Sequence, residues 1–425
     1  MSMPALDAER PGKHDLAAVV ALRRRLHSHP ELGLDNPITQ RQIVSALHDV
    51  GISDLVTGTG CSSVVATVSG GRPGPVLLLR ADTDALPITE RSGLGFASQV
   101  PGVAHACGHD AHVAMLVGAA RMIAARAADL AGSVRFVFQP GEEGHGGAAR
   151  MIDEGLLDRA SPADAAFALH VTPSLPSGVV ATRPGTMFAA ADIFEVTLRG
   201  AGGHAASRHL ARDPMPAVAD LVTTLLGAIP RAAPPFTPVV VTVGRIGAGT
   251  VGNVIPDEAV ISGTLRAVDE DTRSAAWAVL ERVCRGVAQA HDVTVEIRRT
   301  CRHPPVVNDP GFTGLVQDAA RAVAGPGRAV LLPTPVMAGE DFGCLLERVP
   351  GTLAVLGACP TDLPDPATAP ACHAADMRID EDALATGVAL HAAVAAAFLR
   401  PSTSIARLRT PTSSRGSTDA PAASS

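Results

Sequence analysis

Uninterrupted apolar runs recur along the chain, and stretches with apolar residues at helical spacing lie between several of them. The runs PVLLLRA (75–81), VRFVFQ (134–139), AAFALH (165–170) and LAVLG (353–357) do not alternate with polar residues. That is the pattern of strands covered on both faces in a largely parallel sheet. Ala, Leu and Met recur at helical spacing from Ala111 to Leu130, and Asp382 to Leu399 reads the same way. Strands of this kind alternating with helices predict an α/β fold. From about Ala191 the order changes to strand 192–200, helix 213–229, strands 238–246 and 258–267, helix 271–290 and strand 293–299. This βαββαβ order is the ferredoxin-like split βαβ, a compact α+β unit. It predicts a small domain, 189–300, inserted into a larger one built from 12–188 and 301–400. Residues 401–425 are Ser, Thr, Pro and Ala with almost no apolar periodicity, so they read as a disordered tail.

Composition narrows the possible partners. A length of 425 residues fits two or three domains. A charged fraction of 18% and a net charge of -7 lack the basic excess that nucleic acid or anionic lipid requires. The apolar stretch Leu16–Leu22 runs into three arginines with no small-residue cleavage site, and no run approaches the roughly 20 residues of a membrane span. The seven cysteines are scattered and odd in number, which suits a reducing cytoplasm better than a disulfide framework.

Ionisable residues gather where the strands end, and in open parallel sheets ligands bind beyond those carboxyl ends. The run 75–81 leads into Asp82 and Asp84, with Arg80 inside it; 134–139 leads into Glu142 and Glu143; 165–170 ends on His170. One carboxylate after a strand is as readily a helix cap, but three strands ending this way argue for a shared cleft. The stretch HACGHDAH (105–112) belongs beside them. Borderline metals take imidazole, carboxylate and thiolate, so Cys107, His109, Glu143 and His170 form a candidate ligand set. No paired-cysteine knuckle of a closed structural site occurs. With Glu143 on a metal, its neighbour Glu142 stays free as a general base. His105, Asp110 and His112 read as residues that orient the ligands.

These residues stand in stretches that resemble the M20 family of peptidases. The similarity is to the subgroup of hippurate hydrolases, N-acyl-amino-acid deacylases and hydrolases of indole-acetic acid amino-acid conjugates. Nine stretches carry it in the family's order: RRRLHSHPELG (23–33), LRADTDALPI (79–88), HACGHDAH, FQPGEEGHGGA (138–148), LHV (169–171), GAGGHAA (200–206), GNVIPDEA (252–259), GTLR (263–266) and AGEDF (338–342). The resemblance implies a metal-dependent exopeptidase-like α/β catalytic domain with an inserted ferredoxin-like lid or dimerisation domain. It implies two divalent ions per subunit, Mn2+ or Zn2+ before Ni2+ or Co2+. Their ligands would be Cys107, His109, Glu143, His170 and His373, although His373 sits in ACHAADMRIDEDAL, away from the family's usual context. Arg80 stands where other subgroups carry a histidine.

The implied reaction is hydrolysis of an N-acyl or N-aroyl amino acid to a carboxylic acid and a free amino acid. A metal-bridged water would attack with Glu142 as base, and Asp82 would orient a ligand. His204 would stabilise the oxyanion, in its own subunit or across a homodimer formed through the lid. Asn253 and Arg266 would hold the substrate carboxylate. Without the resemblance, GGHAA reads as a tight turn and Arg266 as a surface strand residue. The alternatives are a dipeptidase using the same site and a non-catalytic metal-binding protein on this scaffold.

Overall fold

Apolar runs become strands here because both of their faces are covered, and most of them join one sheet. The computed structural model describes residues 9–155, 157 and 161–400; the tail expected from 401 onward lies outside them. The first part of the chain forms α1 (Lys13–Ser28), α2 (Pro37–Asp49), β1 (Leu55–Thr57), β2 (Val64–Ser69), β3 (Arg72–Asp82), α3 (His109–Ala124), β4 (Ala131–Gln139), α4 (Gly147–Asp153), β5 (Ala165–Thr172), β6 (Val180–Thr182) and β7 (Gly185–Phe188). A middle part forms β8 (Ala190–Arg199), β9 (Gly203–His204), α5 (Pro214–Ala232), β10 (Val239–Ala248), β11 (Val254–Ile255), β12 (Glu258–Ala267), α6 (Glu270–Ala290) and β13 (Thr294–His303). The last part forms β14 (Val306–Asn308), α7 (Pro310–Ala324), β15 (Ala329–Leu331), α8 (Gly343–Leu346), β16 (Gly351–Gly357) and α9 (Ala383–Phe398).

The main sheet has the order β1-β2-β4-β3-β5-β16-β6-β15. Its centre, β4-β3-β5-β16, is parallel, while β2 meets β4 and β6 meets β16 antiparallel. The sheet is therefore mixed rather than largely parallel. Burial on both faces makes a strand apolar whichever way it runs, so direction leaves no trace in the apolar pattern. Helices α3 and α9 are buried on nearly every side, which explains why they carry little but apolar residues over most of their length. They lie close together through Gly387, where an added Cβ would collide with the Met115 sulfur.

The middle part has its own sheet, β10-β12-β8-β13, antiparallel throughout. It also has its own core, in which Phe194, Leu221, Leu225, Leu265 and Leu280 are fully buried. Here α5 and α6 are amphipathic, each burying one stripe and exposing the other. β13 continues to His303, so a boundary at residue 300 would cut this strand. Thirteen further elements, among them α1, α2, β1, β2, β6, α7 and β15, have no counterpart in the reading of apolar runs.

Candidate metal centre and active site

The parallel registers bring three strand ends level. Asp82 pairs with Gln139 across β3 and β4, Arg80 with Ala168 across β3 and β5, and His170 with Val355 across β5 and β16. The HACGHDAH stretch crosses these ends: Gly108, at φ 87°, makes a left-handed turn open to glycine, and α3 then starts on His109. His373 is tied to the same stretch by its backbone N–H, which donates to Ala106 O at 2.7 Å.

Cys107, His109 and His170 form one group whose donor atoms all lie within 4.8 Å of one another, and Cys107, Glu143 and His373 form a second. A third group, His109, Glu142 and Glu143, overlaps both. Cys107 Sγ is 3.5 Å from His170 Nε2, His373 Nε2 is 3.3 Å from Glu143 Oε1, and His109 Nε2 is 3.9 Å from the same oxygen. Two polar atoms test whether cations fit. His109 Nε2 and Glu143 Oε1 are buried without a hydrogen bond, a costly arrangement for groups that no ligand will meet. Nδ1 of His109 donates to Asp84 O at 2.8 Å, and this leaves Nε2 as the nitrogen with a lone pair, as in most metal-ligating histidines. The residues present therefore suit a pair of neighbouring divalent ions.

His112 also groups with Asp82 and His109. Both of its nitrogens are already used, Nδ1 on Asp82 Oδ1 at 2.5 Å and Nε2 as acceptor for Val171 N–H at 2.8 Å. It thus connects Asp82 to the end of β5. His105 is buried with neither nitrogen bonded, and burial lowers its pKa to about 3. Asp110 faces away from the metal ligands, toward Arg23 at 3.0 Å and His27 at 2.9 Å.

Charge is dense here, and burial pulls the groups apart. Burial raises Glu142 well above the ordinary carboxylate range, reinforced by Glu340, Glu143 and Asp341. Burial works on Glu143 in the same direction, but His373 and His109 outweigh it and hold this carboxylate below its usual range. Burial opposes a charge on His109, yet Asp82 and Asp84 push it up to about 10, so protons and cations compete for its Nε2. His170 is held neutral by burial beside His112, the state in which imidazole ligates.

Two residues have partners here that their sequence context did not reveal. Arg80 is a buried cation that holds Asp82 at 2.7 Å, Glu340 at 3.0 Å and Asp341 at 2.9 Å. The motif AGEDF marked Glu340 and Asp341, but nothing in it pointed to Arg80 as their partner. Cys372 shares a hydrogen bond with Cys107, which raises the Cys107 thiol and lowers Cys372 to about 6. Only its place beside His373 hinted at this.

Glu142, Glu143, His170 and His373 line a cavity of about 590 Å³. Arg266 joins them from β12, with Nη1 donating to Met337 O at 2.9 Å. Phe188, Ile193, Leu332 and Val336 give the same cavity an apolar wall. His204 and Asn253 do not line it. They lie together on the exposed β9–β11 ribbon, where Val254 pairs with His204 and Asn253 O accepts from Ala205 N–H.

Comparison with known proteins bears on this geometry. The sequence pattern of "Peptidase family M20/M25/M40" matches residues 78–397. Thermostable carboxypeptidase 1 of Saccharolobus solfataricus is 34% identical over 384 residues, covering 89% of this chain and 95% of its own length. N-acetyl-L-cysteine deacetylase of Bacillus subtilis is 38% identical over 339 residues, 80% of each protein. A crystal structure from Bacillus subtilis, described as a dinuclear metal binding peptidase from the M20 family, superposes with a TM-score of 0.76 at 32% identity. It covers 91% of this chain and 99% of that one.

Proposed function

The chain belongs to peptidase family M20/M25/M40, and from that premise we propose that it hydrolyses the amide bond of N-acyl or N-aroyl amino acids. The products are a carboxylic acid and a free amino acid. One observation carries this reading. Glu142 and Glu143 are adjacent, yet one is held low beside His373 and His109 while the other is raised by burial. Two neighbouring carboxylates driven apart in this way suit two roles, ligand and base.

Cys107, His109, Glu143, His170 and His373 would hold two divalent ions. The chemistry that such ions supply when bound is acidification of water and polarisation of the amide carbonyl. Glu142 takes the proton of the attacking water and delivers it to the departing amine. Asp82 keeps His112 and, through it, the end of β5 in place. Arg266 receives the substrate carboxylate, and the apolar wall of Phe188, Ile193, Leu332 and Val336 receives the acyl group. His204 and Asn253, outside the cavity of their own subunit, serve the site of a second copy in a homodimer formed through the β8–β13 unit, which acts as a lid. A thiolate with three imidazoles suits Zn2+, with Mn2+, Ni2+ or Co2+ as alternatives. Among the described residues, no helix is long and apolar enough to cross a membrane. The six described cysteines are free thiols, which suits a reducing cytoplasm.

The likeness to a carboxypeptidase favours a second reading, cleavage of dipeptides at the same site. A panel of N-acetyl amino acids, N-benzoyl amino acids and dipeptides separates the two. Turnover of the acyl amino acids is expected to exceed that of the dipeptides. Cleavage of dipeptides alone would replace the first reading with the second.

A further inference from the structure

We infer that Asp84 is a positioning residue that sets the general base and two metal ligands in one geometry, an inference that rests on the amidohydrolase reading above. Asp84 is 1% exposed and lies two residues beyond the end of β3. Its Oδ1 accepts the backbone N–H of Glu142 at 3.0 Å, and its Oδ2 accepts that of Glu143 at 3.1 Å. Its carbonyl oxygen accepts Nδ1–H of His109 at 2.8 Å. Three predicted parts of the site, from two separate segments of chain, therefore share one anchor.

The turn explains why a carboxylate is needed. Gly141 and Gly144 both have positive φ, 77° and 84°, and Gly144 N–H closes back on Glu142 O. This backbone points two successive N–H groups the same way, a concavity that takes an anion. Among the described residues, no arginine or lysine forms an ion pair with Asp84. Its charge is met by the two amides and by His109, whose Nδ1 is also 3.6 Å from Oδ1. A neutral acceptor could satisfy one amide but not both. Asparagine has nearly the same shape, yet it would turn an N–H2 donor toward one of the two N–H groups. The turn would then lose one bond, gain a donor–donor contact and let Glu142 or Glu143 shift.

The bond to His109 comes from the backbone and survives any change of side chain. An Asp84 variant should therefore disturb Glu142 and Glu143 while leaving the His109 tautomer intact. Displacement of a catalytic group by about 1 Å costs on the order of 10²-fold in rate, and loss of a residue that orients a ligand costs about 10–100-fold in metal affinity.

The test compares D84N and D84A with the unmutated enzyme on the best substrate of the panel, at saturating metal. It also measures the Kd of the metal-free proteins for Zn2+ by calorimetry. D84N is expected to lose about 10²-fold in kcat, with KM changed by less than about threefold and Zn2+ affinity weakened at least about tenfold. D84A should be slower than D84N, because asparagine keeps one acceptor. Wild-type kcat and Kd in D84N, or a fall in Tm alone, would overturn the inference. The Kd measurement needs no substrate, so it judges Asp84 even if no acyl amino acid is cleaved, a result that would sink the functional reading instead. If neither variant folds, amide exchange in the unmutated protein decides. Glu142 and Glu143 N–H should be protected, and exchange at open-loop rates would remove Asp84 from this role.

Discussion

Two clusters of buried charge reach the cavity, and they are finished differently. In the inserted unit Asp192 is wholly buried, and both of its oxygens are taken by Arg273 at 2.8 and 2.9 Å, by Arg299 at 2.7 to 2.9 Å and by the indole N–H of Trp277. Arg299 also lies over the Trp277 ring at 4.8 Å. This cluster joins β8 and β13 to α6, with every oxygen of the carboxylate satisfied. At the ends of β3, β4 and β5, Asp82, Asp84 and His109 are just as buried, yet the buried atoms His109 Nε2 and Glu143 Oε1 make no hydrogen bond. A satisfied cluster fixes a fold, whereas a cluster that leaves donor atoms open is built to take something else.

That contrast is broken most strongly from the open side. Glu142→Gln keeps the shape of the base but removes its proton affinity. It should lower kcat by about 10³-fold, within the range of about 10²–10⁴ for general acid–base groups, while metal content per subunit stays unchanged. Substantial turnover by this variant would remove Glu142 as the base. The closed side should show the opposite signature. Asp192→Ala leaves the buried Arg273 with only the half-exposed Glu270 as an anionic partner and should cost about 3–5 kcal/mol of stability in urea unfolding. Metal content of the folded fraction should be unchanged. A variant as stable as the parent would mean that the cluster does not hold the inserted unit together.

A third cluster sharpens the comparison with a smaller, pH-dependent effect. Burial opposes protonation of His27, but Asp110 and Glu90 outweigh it and raise it from 6.5 to about 9. Burial likewise opposes charge on Glu90, and bonds to His27 and Ser92 lower it from 4.5 to about 2. A raised histidine stabilises fully below its unfolded pKa and loses that contribution as pH rises through the folded value. A lowered carboxylate stabilises above its unfolded pKa and loses it as pH falls. The pair therefore stabilises most between pH 4.5 and 6.5. The stability difference between the parent and His27→Gln, about 3 kcal/mol at most, should shrink from pH 6.5 to about 9. A difference that is constant over this range would mean that His27 is not charged in the fold.

The residues that sequence alone revealed were those whose chemistry is written in their type. The runs 75–81 and 353–357 announced strands because apolar residues follow one another in them without alternation, and the 258–267 strand matches β12 to the residue. Helix α1 escaped because LRRRLHS interrupts its apolar stripe, although Arg23 and His27 are buried by pairing with Asp110. Strand order escaped because β2 pairs with β4 rather than with β3, a choice made by long-range packing. Cys107, His109, Glu143 and His170 are candidate ligands by residue type and His373 only through the family resemblance, and the fold groups their donor atoms in overlapping sets of three. Asp84 was noticed as one more carboxylate after a strand. Its role depends on a turn 58 residues away, and no local pattern shows which backbone amides it will meet.

The sharpest test of the metal site and its chemistry is a titration of metal-free protein with Zn2+, Mn2+, Co2+ or Ni2+ in turn. Bound ions are counted per subunit, and hydrolysis of an N-acyl amino acid is followed in the same samples. Two ions are expected to bind, and amide cleavage is expected to rise with their occupancy. Protein that binds no ion, or binds two and cleaves no amide with any of the four, would contradict the proposed function.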